Sequence, residues 1–171
     1  MRIMAGHYKN LQIKTSSKLL YRPTSSRVRK SIFDILGNLK DLSVLDIFAG
    51  SGILGFEAAS RGASELTFVD NNRKIIDLIR YNCTKLDNEV LTNVFCNRWD
   101  VFMKKEYKYD IIFADPPYGK IDIMRLMEKG LSSLLNNGRF VLESSKRDTI
   151  PDGGTSKFFG DTTVTIWTKS I

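Results

Sequence analysis

The sequence contains little cysteine and histidine, and these shortages exclude several kinds of site. Only Cys83, Cys96 and His7 occur among 171 residues, so the chain supports neither a disulfide framework nor a zinc site of the usual spacing. We predict that both cysteines are free core thiols and that there is no metal site. Runs of 18 apolar residues are also absent, which argues against a transmembrane helix. With no targeting segment, we expect a cytoplasmic protein.

The positive charge is concentrated at the N-terminus. Residues 1–40 contain nine Lys or Arg and a single acid, Asp34, whereas residues 41–171 contain 17 bases and 18 acids. An uneven excess of this kind suits a segment that binds a polyanion, although it also suits a solubilising surface, and charge does not separate RNA from DNA. With 42% apolar residues, we predict one domain, 1–171, with 1–40 as a basic extension.

Apolar patterning predicts an α/β fold from residue 42 onward. Short β-rich runs alternate with helical patterns, which is typical of a parallel sheet covered on both faces. The last two runs flank Gly160-Asp161 without a helix, so the sheet should end in an antiparallel strand. The predicted strands are 43–48, 65–69, 90–96, 109–114, 138–144, 157–159 and 163–167, and the helices are 53–61, 72–87 and 121–135.

The basic extension has its own predicted elements. Residues 1–14 alternate in a way that predicts a β-hairpin, with its turn at residues 6–10. Residues 15–23 are expected to form a loop. A helix is predicted over 24–37, with Thr24 as its N-cap and Gly37 as its stop.

The most informative motif is Asp115-Pro116-Pro117-Tyr118, which follows the apolar run 111–114. The amino group of a nucleobase is a poor nucleophile because its lone pair is delocalised. A carboxylate and a carbonyl beside two rigid prolines can each accept one N–H and direct the lone pair toward a methyl donor. The tyrosine ring can stack on the base. A Pro-rich turn after a buried strand is the alternative interpretation.

A second motif is the glycine-rich turn Gly50-Ser51-Gly52, which joins a predicted strand to a helix. Such a turn indicates a nucleotide-binding α/β fold. Asp46, four residues before the first glycine, would repel a pyrophosphate but would stabilise the sulfonium and ammonium of S-adenosylmethionine. The turn therefore favours that cofactor over a dinucleotide.

Asp70 ends the next predicted strand. An acid at this position can accept both hydroxyls of a ribose, so it indicates an adenosine-containing cofactor without choosing between NAD and S-adenosylmethionine. Asp70 is also a candidate N-cap for the following helix.

With these motifs together, the chain resembles the bacterial methyltransferases of the RsmD type, which modify N2 of a guanine in 16S ribosomal RNA. The helix of the Arg22-Pro23-Thr24 motif, which precedes the glycine-rich turn, is the most discriminating part of the resemblance, because other methyltransferases share the remaining motifs. The resemblance covers nearly the whole length and rests on Arg2-Ile3-Met4-Ala5-Gly6, on Arg22-Pro23-Thr24-Ser25-Ser26-Arg27-Val28-Arg29 with Phe33 and Leu36, on Asp46 to Gly52 with Leu54-Gly55 and Glu57-Ala58, on Asp115 to Tyr118, and on Val141-Leu142-Glu143-Ser144.

The resemblance implies a class I S-adenosylmethionine-dependent methyltransferase (Rossmann-like) fold with a mostly parallel seven-stranded sheet. It implies S-adenosylmethionine as cofactor, S-adenosylhomocysteine as product, and a monomer that acts on 16S rRNA in the small subunit or its precursor. The implied catalytic residues are Asp115, Pro116, Pro117 and Tyr118. The implied cofactor-binding residues are Asp46, Phe48, Ala49, Gly50, Ser51, Gly52, Asp70, Asn71, Arg98, Trp99 and Asp115, and the candidate RNA-binding residues are Arg2, His7, Lys9, Lys14, Arg22, Arg27, Arg29 and Lys30.

The chain departs from the family pattern at two positions. Tyr118 stands where family members commonly carry Phe. After the third strand they often carry Asp or Asn for the adenine amino group, and the aligned residue here is Arg98. Either Asp100 takes that role, or Trp99 contributes packing and a backbone N–H.

Three other functions remain open at the level of sequence. A DNA adenine amino-methyltransferase fits Asp115 to Tyr118 equally well, but no separate region is left to recognise a DNA sequence. A nicotinamide-dependent oxidoreductase is disfavoured by Asp46. A non-catalytic RNA-binding protein is disfavoured by the intact motif at 115–118.

Overall fold

Seven strands form one sheet in the computed structural model of the chain, which describes residues 1–16 and 24–170. The spatial order of the strands is β3-β2-β1-β4-β5-β7-β6. Their bounds are β1 Ser43–Ile47, β2 Glu65–Asp70, β3 Leu91–Cys96, β4 Tyr109–Ala114, β5 Leu134–Ser145, β6 Thr155–Phe159 and β7 Thr162–Thr168.

The first five strands are parallel, and β7 pairs antiparallel with both β5 and β6. The predicted parallel sheet with an antiparallel C-terminal hairpin is therefore confirmed. The helices are α1 Ser26–Leu36, α2 Ile53–Ser60, α3 Arg73–Cys83, α4 Trp99–Phe102 and α5 Ile123–Ser132, with a 3₁₀ turn at Met103–Lys105 after α4. In the described ranges, no helix is both long enough and apolar enough to cross a bilayer.

The structure corrects several element boundaries. Ser25, and not Thr24, caps α1, because its Oγ accepts the Val28 N–H at 3.2 Å. The predicted helix 121–135 ends at Ser132, since Leu134 already pairs with Tyr109 of β4. The helix predicted over 72–87 ends at Cys83, and α4 was not predicted. Most of the loop predicted at 15–23 lies outside the described residues.

The two faces of the sheet are covered by different elements. Alternate strand residues point to opposite faces, and they enter two separate buried clusters. One cluster contains side chains of residues 1–16, α1, α2 and α3, including Ile3, Phe33 and Phe56. The other contains side chains of α4, the 3₁₀ turn and α5, including Phe102 and Leu126.

The predicted N-terminal hairpin is present as one antiparallel bridge, Arg2 to Gln12, and it packs tightly on the domain. Ile3 and Ile13 are fully buried in the core. The His7 N–H donates to the Ser60 carbonyl at 2.7 Å. Gly6 lies below this contact at φ +83°, and a Cβ there would fall 1.7 Å from the Ser60 oxygen. Only glycine allows this approach.

The second arm of the hairpin is held by α3. Lys14 N donates to Asn82 Oδ1, and Asn82 Nδ2 donates to the Lys14 carbonyl, both at 2.9 Å. On the other arm, Met4 N donates to the buried carboxylate of Glu57 at 2.8 Å. Residues 1–16 are therefore part of the packed structure as well as a source of positive charge.

Candidate active site

A cavity of about 570 Å³ lies at the carboxyl ends of β1, β2 and β4. The strand register brings these ends together, because Ile47 lies between Val69 and Ala114. Every predicted cofactor-binding and catalytic residue other than Gly52 lines this cavity. The lining residues are Asp46, Phe48, Ala49, Gly50, Ser51, Asp70, Asn71, Arg98, Trp99 and Asp115 to Tyr118, together with Thr24, Ile53, Leu54, Val69, Asn72, Ile75, Asn97 and Ile121, which were not predicted.

The turn after β1, which lines the cavity, has an unusual backbone. Phe48, a non-glycine residue, has φ +64°, and Gly50 and Gly52 have φ +53° and +73°. A Cβ on Gly52 would also lie 2.8 Å from the Phe56 ring, so Gly52 serves close packing beneath the cavity. Strained backbone at a non-glycine residue is characteristic of functional sites.

Asp70 supports this turn through both carboxylate oxygens. Oδ2 accepts the Gly50 N–H at 3.1 Å, and Oδ1 accepts the Asn72 N–H at 2.9 Å. The N-cap of α3 is Asn72, whose side chain accepts from Lys74 N at 3.0 Å. The interpretation of Asp70 as a helix cap is therefore wrong. Each carboxylate oxygen retains accepting capacity toward the cavity.

Asp46 is the most deeply buried acid of the site, with 3% of its surface exposed. Its Oδ2 accepts a long hydrogen bond of 3.4 Å from Gly55 N. Burial raises the pKa of Asp46 well above its ordinary value of 3.8, and the charges of Asp115 and Asp70 add to the effect. Burial also raises the pKa of Asp70, against backbone amides that lower it. A cation bound here would stabilise both carboxylates.

Asp115, Pro116, Pro117 and Tyr118 lie together where β4 ends. Pro116 is buried, while Asp115 and Tyr118 are partly exposed. The Tyr118 hydroxyl lies 3.1 Å from Thr162 Oγ1 at the start of β7. This contact uses the hydroxyl that distinguishes Tyr118 from the Phe common in the family, and it fixes the direction of the ring beside the cavity.

Arg98 and Asp100 pair with each other in the segment after β3. The Arg98 guanidinium forms a bidentate pair with Asp100, with both distances 3.0 Å, so each group already has a partner of opposite charge. Asn97 is the first residue after β3, lines the cavity, and donates its N–H to the Asp70 carbonyl at 3.0 Å. Asn97 was not among the predicted cofactor-binding residues, although it adjoins Arg98 and Trp99 at the cavity. The strand predicted over 90–96 already ended at Cys96, so this boundary was the signal that could have pointed to Asn97.

Two aromatic rings flank the same side of the cavity. The centroids of Phe48 and Trp99 lie 6.3 Å apart at an interplanar angle of 49°. Their rings form an apolar wall of the kind that packs against a planar heterocycle.

The candidate RNA-binding residues that the structure describes do not line the cavity. Arg2, His7, Lys9, Lys14, Arg27 and Lys30 are exposed. Arg29 is a correction to the prediction, because it is only 3% exposed and its Nη1 donates to the Arg2 carbonyl at 3.2 Å. It cannot reach a phosphate without leaving the core. Arg22 lies outside the described residues.

Comparisons with known proteins place the chain in a family. The family model described as conserved hypothetical protein 95 matches residues 1–167. Ribosomal RNA small subunit methyltransferase D of Escherichia coli K12 is 31% identical, covering 81% of this chain and 68% of that protein.

Solved structures give the fold. A hypothetical protein of Thermus thermophilus superposes with a TM-score of 0.84 at 27% identity, covering 100% of this chain and 99% of that one. The T. thermophilus 16S rRNA N2 G1207 methyltransferase, solved with S-adenosylmethionine and guanosine, superposes with a TM-score of 0.73 at 18% identity, covering 99% of this chain and 49% of that one.

These likenesses and the strand order identify the class I methyltransferase fold. The family can also be assigned, because a family model matches residues 1–167 and a relative is 31% identical over 81% of the chain. The chain belongs to the family described as conserved hypothetical protein 95, the RsmD family of S-adenosylmethionine-dependent methyltransferases.

Proposed function

We propose that this protein transfers a methyl group from S-adenosylmethionine to N2 of a guanine in bacterial 16S rRNA. Membership in the family of the small-subunit methyltransferases D supports the choice of RNA. One observation carries the chemistry: the buried Asp46, the backbone-held Asp70 and the Asp115-Pro116-Pro117-Tyr118 segment line a single cavity. The carboxylates that would bind the cationic cofactor therefore lie next to the groups that would accept the N–H bonds of the target amine.

The residues present fit the proposed cofactor. Asp70 would accept hydrogen bonds from the ribose hydroxyls, Asp46 would offset the positive charge of the cofactor, and the turn after β1 and Asn71 would border the rest of the cofactor. Phe48 and Trp99 would pack against the adenine, and Asn97 supplies an amide for its polar edge. When bound, S-adenosylmethionine supplies an electrophilic methyl group on a sulfonium.

Asp115 and the Pro116 carbonyl orient the target amine. Each accepts one N–H, so the nitrogen lone pair is directed into the cavity. Pro116 and Pro117 restrict the backbone that carries the accepting carbonyl. The Tyr118 ring, held through its hydroxyl by Thr162, stacks on the extruded base. Much of the rate enhancement then comes from positioning.

The exposed basic side chains of the N-terminal extension hold the RNA. Arg2, Lys9, Lys14, Arg27 and Lys30 are the proposed phosphate contacts, and Arg22 and the exposed His7 complete the proposed set. Arg29 is excluded from this set by its burial. We further propose that residues 1–171 act as one domain and as a monomer, in the cytoplasm, on the small subunit or its precursor.

The test is a methyl-transfer assay with labelled S-adenosylmethionine. The protein is incubated separately with small ribosomal subunits, protein-free 16S rRNA and duplex DNA, and the labelled nucleoside is identified. N2-methylguanosine in 16S rRNA or in subunits is the expected product. N6-methyladenine in DNA would overturn the proposal in favour of a DNA enzyme. The absence of label in all three substrates would overturn methyl transfer to nucleic acid altogether.

A further inference from the structure

A second concave site lies between the 3₁₀ turn and α5, on the sheet face opposite the N-terminal hairpin. It encloses about 500 Å³. Trp99 lines both this groove and the cofactor cavity, so the two sites share a wall. The groove residues are Trp99, Asp100, Met103, Lys104, Glu106, Lys108, Arg125, Lys129, Ser132 and Ser133.

The groove collects positive charge from two separate segments of the chain. Its four cations are Lys104, Lys108, Arg125 and Lys129, all of them exposed, against the acids Asp100 and Glu106. The Asp100 carboxylate is held by the Arg98 fork at 3.0 Å, and Arg98 lies beside the groove. Like charges brought into one concavity repel each other, and a bound polyanion relieves that repulsion.

The groove cations come from α5 and from the segment that contains the 3₁₀ turn. Arg125 and Lys129 lie one helical turn apart on α5, which corresponds to a rise of about 6 Å. Lys104 lies in the 3₁₀ turn, and Lys108 follows that turn and donates from Nζ to the Ser132 carbonyl at the end of α5 at 2.7 Å. The Arg125 guanidinium lies 5.9 Å from the Trp99 ring centroid, at the end of the groove nearest the cofactor cavity.

We propose that this groove binds phosphates of the RNA strand next to the target nucleotide. The inference rests on the proposed function and adds a second contact surface to it. The hairpin with α1 contacts the RNA from one face of the sheet, and the groove contacts it from the other, with the target base at the edge between them. Tyr107, 48% exposed between Glu106 and Lys108, offers a ring to an unpaired base. Cations beside exposed aromatic rings are characteristic of single-stranded RNA sites.

The test uses the double variant Lys104→Gln/Lys129→Gln in the full chain. Both side chains are exposed, and neither lines the cofactor cavity. The matched control is Lys74→Gln/Lys146→Gln, which removes the same charge from exposed lysines outside both cavities and outside residues 1–40. Binding to 16S rRNA transcribed in vitro is measured at several salt concentrations, with S-adenosylmethionine titrated in parallel.

For each lost phosphate contact, the slope of log affinity against log salt should flatten by about 0.7 to 0.9. Two contacts then correspond to roughly tenfold to thirtyfold weaker RNA binding at 0.15 M salt. We expect this loss in the groove variant beyond any loss in the control, with unchanged S-adenosylmethionine affinity in both. Equal RNA affinity and salt slope in the two variants would overturn the proposal.

Two further arms separate the remaining outcomes. In the first, inorganic phosphate is titrated into the wild type and the groove variant. If phosphate binding depends on the two lysines while RNA affinity does not, the groove binds a free anion, and the proposed RNA site is overturned. Methyl transfer is measured on the same RNA. A wild type that binds but does not methylate would overturn the proposed function, while the binding comparison would still decide the groove.

Discussion

The cofactor cavity and the N-terminal hairpin hold their charges in opposite ways. In the cavity, Asp46 is 3% exposed, and Asp70 is fixed by two backbone amides at 3.1 and 2.9 Å. In the hairpin, the backbone is fixed to α2 and α3, while the Arg2 and Lys9 side chains extend into solvent. The cavity therefore holds buried charges beside fixed partners, whereas the hairpin is fixed to the domain through its backbone and keeps its charged side chains in solvent.

This difference predicts how each region responds to mutation. A desolvated charge interacts strongly with fixed partners, and its removal leaves those partners without a hydrogen bond. A solvated charge is screened and contributes little by itself. Single substitutions should therefore have large effects in the cavity and small, additive effects on the hairpin.

The largest effect is expected for Asp115→Ala. Removing the acceptor that orients the target amine should lower kcat by roughly 10²- to 10³-fold, while S-adenosylmethionine affinity changes little. Turnover on 16S rRNA and isothermal titration with the cofactor measure the two quantities separately. Wild-type turnover in the variant would contradict the assigned role, and a large loss of cofactor affinity would make Asp115 chiefly a cofactor ligand.

Asp70→Ala should act on the cofactor instead. The loss of charge-assisted bonds costs about 1.5–3 kcal/mol, which weakens S-adenosylmethionine binding by roughly tenfold to a hundredfold. The control is Asp77→Ala, which removes an exposed carboxylate from α3. If both variants bound the cofactor equally well, Asp70 would have to be regarded as a support for the turn at Gly50 alone.

Asp46→Asn should change the pH dependence of cofactor binding. Because burial raises the pKa of Asp46 in the free protein and a bound cation lowers it, wild-type affinity should rise with pH up to that raised pKa, with release of a proton. The variant should bind roughly tenfold more weakly without this pH dependence. Titration in buffers of different ionisation enthalpy measures the proton release.

The same substitution should stabilise the fold. Since the folded pKa of Asp46 is raised above 3.8, its contribution to stability is present below pH 3.8 and is lost as pH rises through the folded value. At neutral pH, Asp46→Asn should therefore raise Tm, as measured by thermal unfolding. A lower Tm would show that the 3.4 Å bond to Gly55 N outweighs the burial of the charge.

The smallest effect on RNA binding is expected for a single hairpin cation. Lys9→Gln should lower 16S rRNA affinity about fourfold at 0.15 M salt and flatten the salt slope by about 0.7 to 0.9. The paired variant is Arg29→Gln, which should leave that slope unchanged and lower the free energy of unfolding by about 1–3 kcal/mol, because the Arg2 carbonyl loses its donor. If Arg29→Gln changed the slope more than Lys9→Gln, the distinction between buried and solvated charge would be wrong.

Much of the fold and of the cavity could be predicted because their signals are local. A few consecutive residues are enough to recognise each of these signals: the alternation of strands and helices, the glycine-rich turn after β1, and the segment Asp115 to Tyr118. Errors arose where a distant contact decided the outcome. The helix predicted over 121–135 was too long because Leu134 pairs with Tyr109 of β4. Asn97 was not predicted because its place at the cavity depends on β2, where the Asp70 carbonyl accepts its N–H.

By itself, the sequence determined the order and type of most elements, the parallel sheet, and the placement of Asp46, Asp70 and Asp115 at strand ends, because backbone periodicity and turn chemistry act between neighbours. Only the tertiary structure decided which charges face solvent. Arg29 belongs to the most basic segment of the chain and is buried, whereas Lys104 and Lys129 belong to a region without net positive charge and meet in one groove. Burial and the field of several charges depend on distances in space, which the order of residues along the chain does not specify.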